Sequence, residues 1–476
     1  MKNGAKNLNR IDDADLRAVR LPGERVELLN KRSIRSDGRF VLYWMQASIR
    51  EQANGALELA NRLGRQLERP TVVVFALTEN YPGANLRHYR FLLEALADVR
   101  AALTKRGIRL VVSLGEPTEV VERMARDAAL LVTDRGYTRI QREWRATLAR
   151  VVRCAMVQVE DNVVVPIDVA SEKEEYAART IRPKIMRRLE DYLDPIRRVG
   201  PYGSSIEGLR LPTGGNDVSK KLDRVERILE KLSIDRSVSP SPCFTGGERA
   251  AKRHLDRFLR SRLDRYDRRN DPTAGVTSQL SPYLHFGCIS PVVVARRALT
   301  SGSSGSESFI EELCVRRELA INFVVHNPQY DTIGSLPDWA EKTLAKHCRD
   351  RRPYLYTFEQ LRDAQTHDPA WNAAQREMVA TGYMAGYMRM YWGKKVIEWT
   401  ADPAEAYETL IRLNDTYELD GRDPNGYCGI AWCFGKHDRP WQERPIFGTV
   451  RTMVAAGLAR KFNVERYIEQ VSEYGV

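Results

Sequence analysis

The 476-residue chain is 43% hydrophobic and 29% charged, the balance of a globular protein of two or three domains with a sizeable core. It has no apolar run approaching the roughly 18 residues of a membrane span, no apolar segment in its polar start "MKNGAKNLNRIDDADLRAVR", and seven cysteines without a CxxC pair, which argues against a disulfide framework or a zinc site. A net charge of +12 suits a polyanionic partner, because Lys and Arg release counterions from phosphates, and suits solvated helix faces equally well. A reduced cytoplasmic protein that stays off membranes is the resulting expectation.

Residues 1–37 read as a charged, loosely held arm. From 38 to 170, short apolar runs rich in β-branched residues alternate with segments of helical period. The runs are "FVLYW" (40–44), "TVVVFALT" (71–78), "RLVVSLG" (109–115), "ALLVTD" (129–134) and "AMVQVEDNVVV" (155–165). This alternation predicts a doubly wound parallel α/β domain covered on both faces. No GxGxxG follows the first run, so an ordinary dinucleotide site is not expected there. Residues 171–243, with Gly, Ser and Pro clusters, read as a connector with some helix. Residues 244–476 are dominated by helical patterns and predict an all-helical domain.

Four stretches in that second half carry candidate chemistry. In "TSQLSPYLHFG" (277–287), Ser281 and Pro282 suit a helix start, with Ser as the cap. The hydroxyls before it suit either a phosphate or a plain cap. "YDRRNDP" (266–272) offers Arg269 and Asn270 as a second wall of such a site. "LNDTYELDGRDPNGY" (413–427) lacks the spacing of a calcium loop, so no metal is expected. It suits a polar wall around a cofactor ring, with Asp420 paired to an arginine such as Arg389. "GIAWCFGKHDRPWQERPIFGTVR" (429–451) interleaves tryptophans and arginines, as stacking on unpaired bases requires. Finally, "MRMYWGKKVIEW" (388–399) sets Trp392 and Trp399 two helical turns, about 10 Å, apart, with Trp371 upstream. Such rings fill cores or carry electrons.

The blocks "THDPAWNAAQREMVATGYMAGYMRMYWGKKVIEWT", "LNDTYELDGRDPNGYCGIAW", "HDRPWQER" and "RNDPTAGVTSQLSPYLHFGCIS" resemble the class II cyclobutane pyrimidine dimer photolyases. So do "FTGGERAAKRHLDRFL" and, in the first half, "VLYWM", "LVTD" and "ASEKEEYAARTIRPK". The resemblance runs over residues 38 to 470. It implies an α/β domain followed by a helical domain that binds FAD. It also implies light-driven electron donation to a dimer flipped out of DNA, in a monomeric cytoplasmic protein that joins the nucleoid when bound to DNA. A second, antenna chromophore of deazaflavin or folate type is left open, since the first domain departs from the family at "MQASIR" and Gly55.

Carried over residue by residue, the resemblance implies that Asn414 faces flavin N5. Arg389, Asp420 and Asp423 wall the flavin ring, and Tyr266, Arg269, Asn270, Thr277, Ser278 and Leu280 take the phosphate and ribose side. Glu312, Met390 and Trp432 hold the dimer, while Arg439 and Arg451 enter the DNA. Trp392, Trp371, Trp399 and Tyr356 form the electron relay. The family usually has tryptophan where this chain has Arg316. That departure favours the alternative of a cryptochrome-like blue-light photoreceptor without repair activity.

Overall fold

A computed structural model describes residues 12–475. The strands are β1 (Val26–Leu28), β2 (Phe40–Trp44), β3 (Thr71–Leu77), β4 (Arg109–Leu114), β5 (Ala128–Asp134) and β6 (Ala155–Val159). Among the described residues they form one sheet of order β1-β6-β5-β2-β3-β4. β2 to β6 run parallel, and β1 joins β6 antiparallel. Every residue of β2, β3, β5 and β6 is buried, as a sheet covered on both faces demands. Because side chains alternate along a strand, Val41 and Tyr43 enter one core while Phe40, Leu42 and Trp44 enter the other.

The crossovers are the helices Gly55–Leu67, Leu86–Lys105, Pro117–Ala125 and Arg139–Val151. Asn54 caps the first by accepting from the Leu57 N–H at 2.9 Å, and Pro117 opens the third. The last apolar run is strand only to Val159. Beyond it, Asp161 turns inward to pair with buried Arg50 at 2.8 Å, and Arg50 in turn donates to the Gly287 carbonyl at 3.0 Å, tying the sheet to the helical half.

The stretch read as a loose arm is ordered over its described part; residues 1–11 lie outside the described residues. Asp13–Val19 is a helix capped by Asp12, and β1 follows it. Arg25, 4% exposed, donates to the carbonyls of Glu160 at 2.9 Å and Val163 at 3.2 Å. The charges misled because most lie outward while Val19 and Leu21 anchor the segment. The connector forms the helix Ala178–Arg188 and then runs along the far edge. There the Val218 N–H donates to the Val112 carbonyl at 2.8 Å and the Leu114 N–H to the Asn216 carbonyl at 3.0 Å. The β4 edge of the sheet is thereby covered, while the short β1 forms the other edge.

The helical half has two cores. Leu255, Phe258 and Phe309 share one with the sheet; Trp371, Trp392 and Trp399 sit in the other, built from the helices Pro369–Thr381, Gly386–Trp399, Pro403–Tyr417 and Pro424–Cys433. The short helix Ser281–His285 begins differently from the expected cap. Leu280 is its cap position and Ser281 its first residue, with no side-chain cap bond, because the chain turns through left-handed Gln279 (φ 54°) just before it. No helix among the described residues is long and apolar enough to cross a membrane.

Candidate active site

A cavity of about 400 Å³ opens within the helical half. The helix Gly386–Trp399 contributes Arg389, Met390 and Trp392 to its wall. The end of Pro403–Tyr417 contributes Asn414, and the following loop Glu418, Asp420 and Asp423. Tyr266, Ser278 and Glu312 line it from the other side.

Arg389 Nη2 donates to Asp420 Oδ1 and to Glu418 Oε2, both at 2.9 Å, and Nε donates to the Met384 carbonyl at 2.9 Å. Burial by itself would lower the Arg389 pKa, but Asp420 and Glu418 outweigh it and hold the guanidinium firmly charged. Asn414 is 5% exposed, and its Nδ2 donates to Asp415 Oδ1 at 2.9 Å. That bond fixes the amide and leaves its carbonyl oxygen as an acceptor that does not titrate. A Cβ on Gly426 would lie 2.8 Å from Asn414 Nδ2, so this approach requires glycine. Asp423 caps the helix Pro424–Cys433 and meets His285 Nδ1 at 3.0 Å. Burial pushes the Asp423 carboxyl up, but the His285 contact prevails and lowers it to about 2.

Arg269 lies 5.3 Å from the Tyr266 ring centroid, and its Nη2 donates to Glu312 Oε1 at 3.1 Å. Glu312 sits on a π-helical turn, Glu311–Arg316, a local widening that often marks functional sites. Arg269 and Asn270 are not among the residues of the cavity wall. Thr277 also stands back, its hydroxyl accepting from Tyr383 Oη at 3.0 Å. Leu280 is buried, and its N–H donates to Ser278 Oγ at 3.3 Å. Trp432 is half-buried, with the Arg316 guanidinium 5.1 Å from its ring centroid. Arg316 also donates to Glu311 at 3.0 Å. Arg439 and Arg451 lie outside the cavity, 5.2 and 5.1 Å from the ring centroid of the exposed Trp441.

The tryptophans form a contact series leading away from the cavity. Trp392 lines it and donates from Nε1 to Gln375 at 2.9 Å. Trp371 Nε1 donates to the Trp392 carbonyl at 3.0 Å. The Trp371 and Trp399 rings are 5.6 Å apart, and Trp399 and Tyr356 5.4 Å. Tyr356 Oη bonds to His367 Nδ1 at 2.7 Å, and His367 stacks at 3.6 Å on Tyr354, which is 48% exposed. Trp371 thus stands between the two tryptophans of one helix, bonded to the Trp392 carbonyl and packed on the Trp399 ring.

Glu418 and His285 escaped the sequence reading. Glu418 differs on paper from no other glutamate; its signal was its place in "YELDG", two residues before Asp420. His285 lines both the large cavity and a second, smaller one of about 110 Å³. This second cavity lies outside the carboxyl ends of β2 and β3, beside the point where strand order reverses, which is the usual ligand position in such sheets. Its walls are Trp44, Phe75, Leu77, Tyr81, Leu92 and Trp144, with His285 and Arg422 as polar boundary.

A family model described as DNA photolyase matches residues 41–201. The deoxyribodipyrimidine photo-lyase of Methanothermobacter thermautotrophicus is 48% identical over 449 residues, which cover 94% of this chain and 98% of that protein. Among solved structures, a bacterial class III photolyase from Agrobacterium tumefaciens superposes with a TM-score of 0.71 at 19% identity, over 92% of this chain and 87% of its own. An archaeal photolyase from Sulfolobus tokodaii, described with two FAD molecules, gives a TM-score of 0.67 at 18% identity, over 90% of this chain and 89% of its own. At those identities the two structures speak to the fold alone.

Proposed function

The chain belongs to the DNA photolyase family, and we propose that it is a class II deoxyribodipyrimidine photo-lyase that reverses cyclobutane pyrimidine dimers in DNA, with FAD in the large cavity. The observation that carries this reading is convergence. One cavity wall holds the Arg389–Asp420 pair, the fixed amide of Asn414 and the first ring of an aromatic series that reaches the surface.

The cavity fits the cofactor. Its volume of about 400 Å³ lies in the range of small-molecule sites. A Cβ on Gly429, in its wall, would meet nothing within 4 Å, so the glycine keeps ligand space open. Glu418 Oε1 is a buried polar atom with no protein partner. When bound, FAD supplies the light-driven electron chemistry. The chain's residues bind and orient. Arg389 and Asp420 present a charge and its counter-charge to the ring edge, Asn414 offers a neutral acceptor, and Tyr266, Ser278 and the Arg269 region take the phosphate side. Glu312, Met390 and Trp432 hold the flipped dimer, whose poor stacking lowers the cost of extrusion. Arg439 and Arg451 on Trp441 offer a basic aromatic segment to phosphates and unstacked bases. Electrons enter through Tyr356, Trp399, Trp371 and Trp392. The apolar second cavity suits a flat antenna chromophore, for which Trp144 and Tyr81, 6.0 Å apart, supply ring faces.

The test is the cofactor itself. Purified wild-type protein is expected to show flavin absorption and to release FAD on denaturation, and the Asp420→Ala variant to lose most of it. A colourless wild-type protein that takes up no added FAD would overturn the reading.

A further inference from the structure

The aromatic series ends on a hydrogen-bonded pair. Tyr356 stands just before the short helix Phe358–Arg362, which Thr357 caps, and its N–H donates to the Trp399 carbonyl at 3.2 Å. His367 stands just before Asp368, the cap of the helix Pro369–Thr381. Two helix entrances thus bring the two side chains together at the outer end of the series. The Trp399 ring lies 5.4 Å from the Tyr356 ring and 5.2 Å from the His367 ring.

The bonding within the pair has a direction. The His367 backbone N–H donates to Tyr356 Oη at 2.9 Å, an ordinary N–H···O length, so Oη already accepts. Its own proton has His367 Nδ1 before it at 2.7 Å, the length at which a hydroxyl donates. The ring nitrogen that receives a proton is the bare one, which puts the proton of the neutral imidazole on Nε2. Tyr354 stacks on this imidazole at 3.6 Å with 17° between the planes and keeps the ring in place. The carboxylate next door is engaged elsewhere: Asp368 accepts from the N–H groups of Ala370 and Trp371, both at 3.0 Å, and from Tyr391 Oη. Among the described residues, only His367 bonds to Tyr356 Oη.

An indole that gives up an electron can stay a cation for a time. A phenol that does so becomes a strong acid, so a tyrosine gives an electron readily only where its proton has a base to go to. We propose that His367 is that base, the proton acceptor for the last step of the series. One electron passes from Tyr356 to a Trp399 ring that has itself lost one. The Oη–H bond breaks and its proton passes to His367 Nδ1. Trp399 returns to its neutral form, Tyr356 is left as a neutral radical and His367 as an imidazolium. Because His367 is exposed, the proton then leaves to water. That Trp399 loses an electron rests on the reading above; the pair itself does not.

The first test needs no flavin. Nitrogen-15 magnetic resonance of the full-length protein, labelled at histidine and assigned with His367→Gln, is expected to show a bare Nδ1 and a protonated Nε2 in mildly alkaline solution. A proton on Nδ1 would overturn the proposal. The second test drives the step from outside with ruthenium(III) tris-bipyridine, made by a laser flash in the presence of a cobalt(III) electron acceptor. The tyrosyl radical is read as wild type minus Tyr356→Phe. His367→Ala is expected to form it about a hundredfold more slowly, and added imidazole, which can reach an exposed site, to restore the rate. Formation at the wild-type rate in His367→Ala, or a loss that imidazole leaves unrepaired, would make His367 a packing residue and end the proposal. A wild-type protein that binds no FAD would sink the functional reading, while both tests would still decide the role of His367.

Discussion

Two cavities of this protein, the one in the helical half and the one beside the sheet, are built on different terms. The large one buries charge: Arg389, Asp420 and Asp423 are all in its wall. The smaller one, between sheet and helices, is walled mainly by aromatic and aliphatic side chains, with His88, His285 and Arg422 at its boundary. Buried charge is costly unless paired, so a wall of this kind persists only where its geometry serves chemistry. An apolar wall costs little and selects by shape. The contrast sets a charged wall, suited to chemistry, against a mainly apolar one that selects by shape.

Removing Arg389 should break the contrast most severely. Arg389→Ala leaves Asp420 and Glu418 without their cation, and loss of a buried partner costs about 3–5 kcal/mol. Denaturant unfolding is expected to show that loss together with loss of flavin; a change under about 1 kcal/mol would mean the pair is solvated. Next in size is the aromatic series. Trp371→Phe should largely abolish light-driven reduction of the cofactor while leaving repair by chemically reduced protein intact, as read by flash absorption and by oligonucleotide assay. Equal loss of both would make Trp371 a core residue and nothing more.

The Asp423–His285 contact sharpens the same point through acid. The Asp423 pKa is about 2 in the folded chain against 3.8 unperturbed. A depressed carboxyl stabilises the fold above its unfolded pKa, and the contribution is lost as pH falls through about 2. Asp423→Asn should therefore cost about 2 kcal/mol near neutrality, with the difference from wild type vanishing below pH 2. A pH-independent difference would locate the effect in the helix cap instead. The smallest effect belongs to the apolar cavity. Trp144→Ala is expected to weaken any second chromophore without changing FAD content or repair per photon absorbed by FAD. If FAD were lost too, the cavities would not be separable.

Much of the architecture was legible because it depends on local pattern. Runs such as "TVVVFALT" cannot satisfy themselves except in a buried strand, and the parallel sheet follows. The edges of the sheet were not legible. The three residues Val26–Leu28 are too short and too exposed to announce a strand, and their pairing with β6 depends on contacts more than a hundred residues away. The same limit applies at the site. Arg389 and Asp420 could be paired from chemistry, since a buried carboxylate needs a cation. That Glu418 shares the same guanidinium nitrogen, and that Arg269 turns to Glu312, depends on side-chain directions that spacing does not encode.

The most direct test of the central claim is anaerobic repair of an oligonucleotide carrying one thymine cyclobutane dimer, by reduced protein, in blue light and in darkness. Loss of the dimer in light alone is the predicted result, and would show that Arg316 beside Trp432 still permits a working lesion pocket. Equal loss in darkness, or none in light with FAD bound, would contradict it.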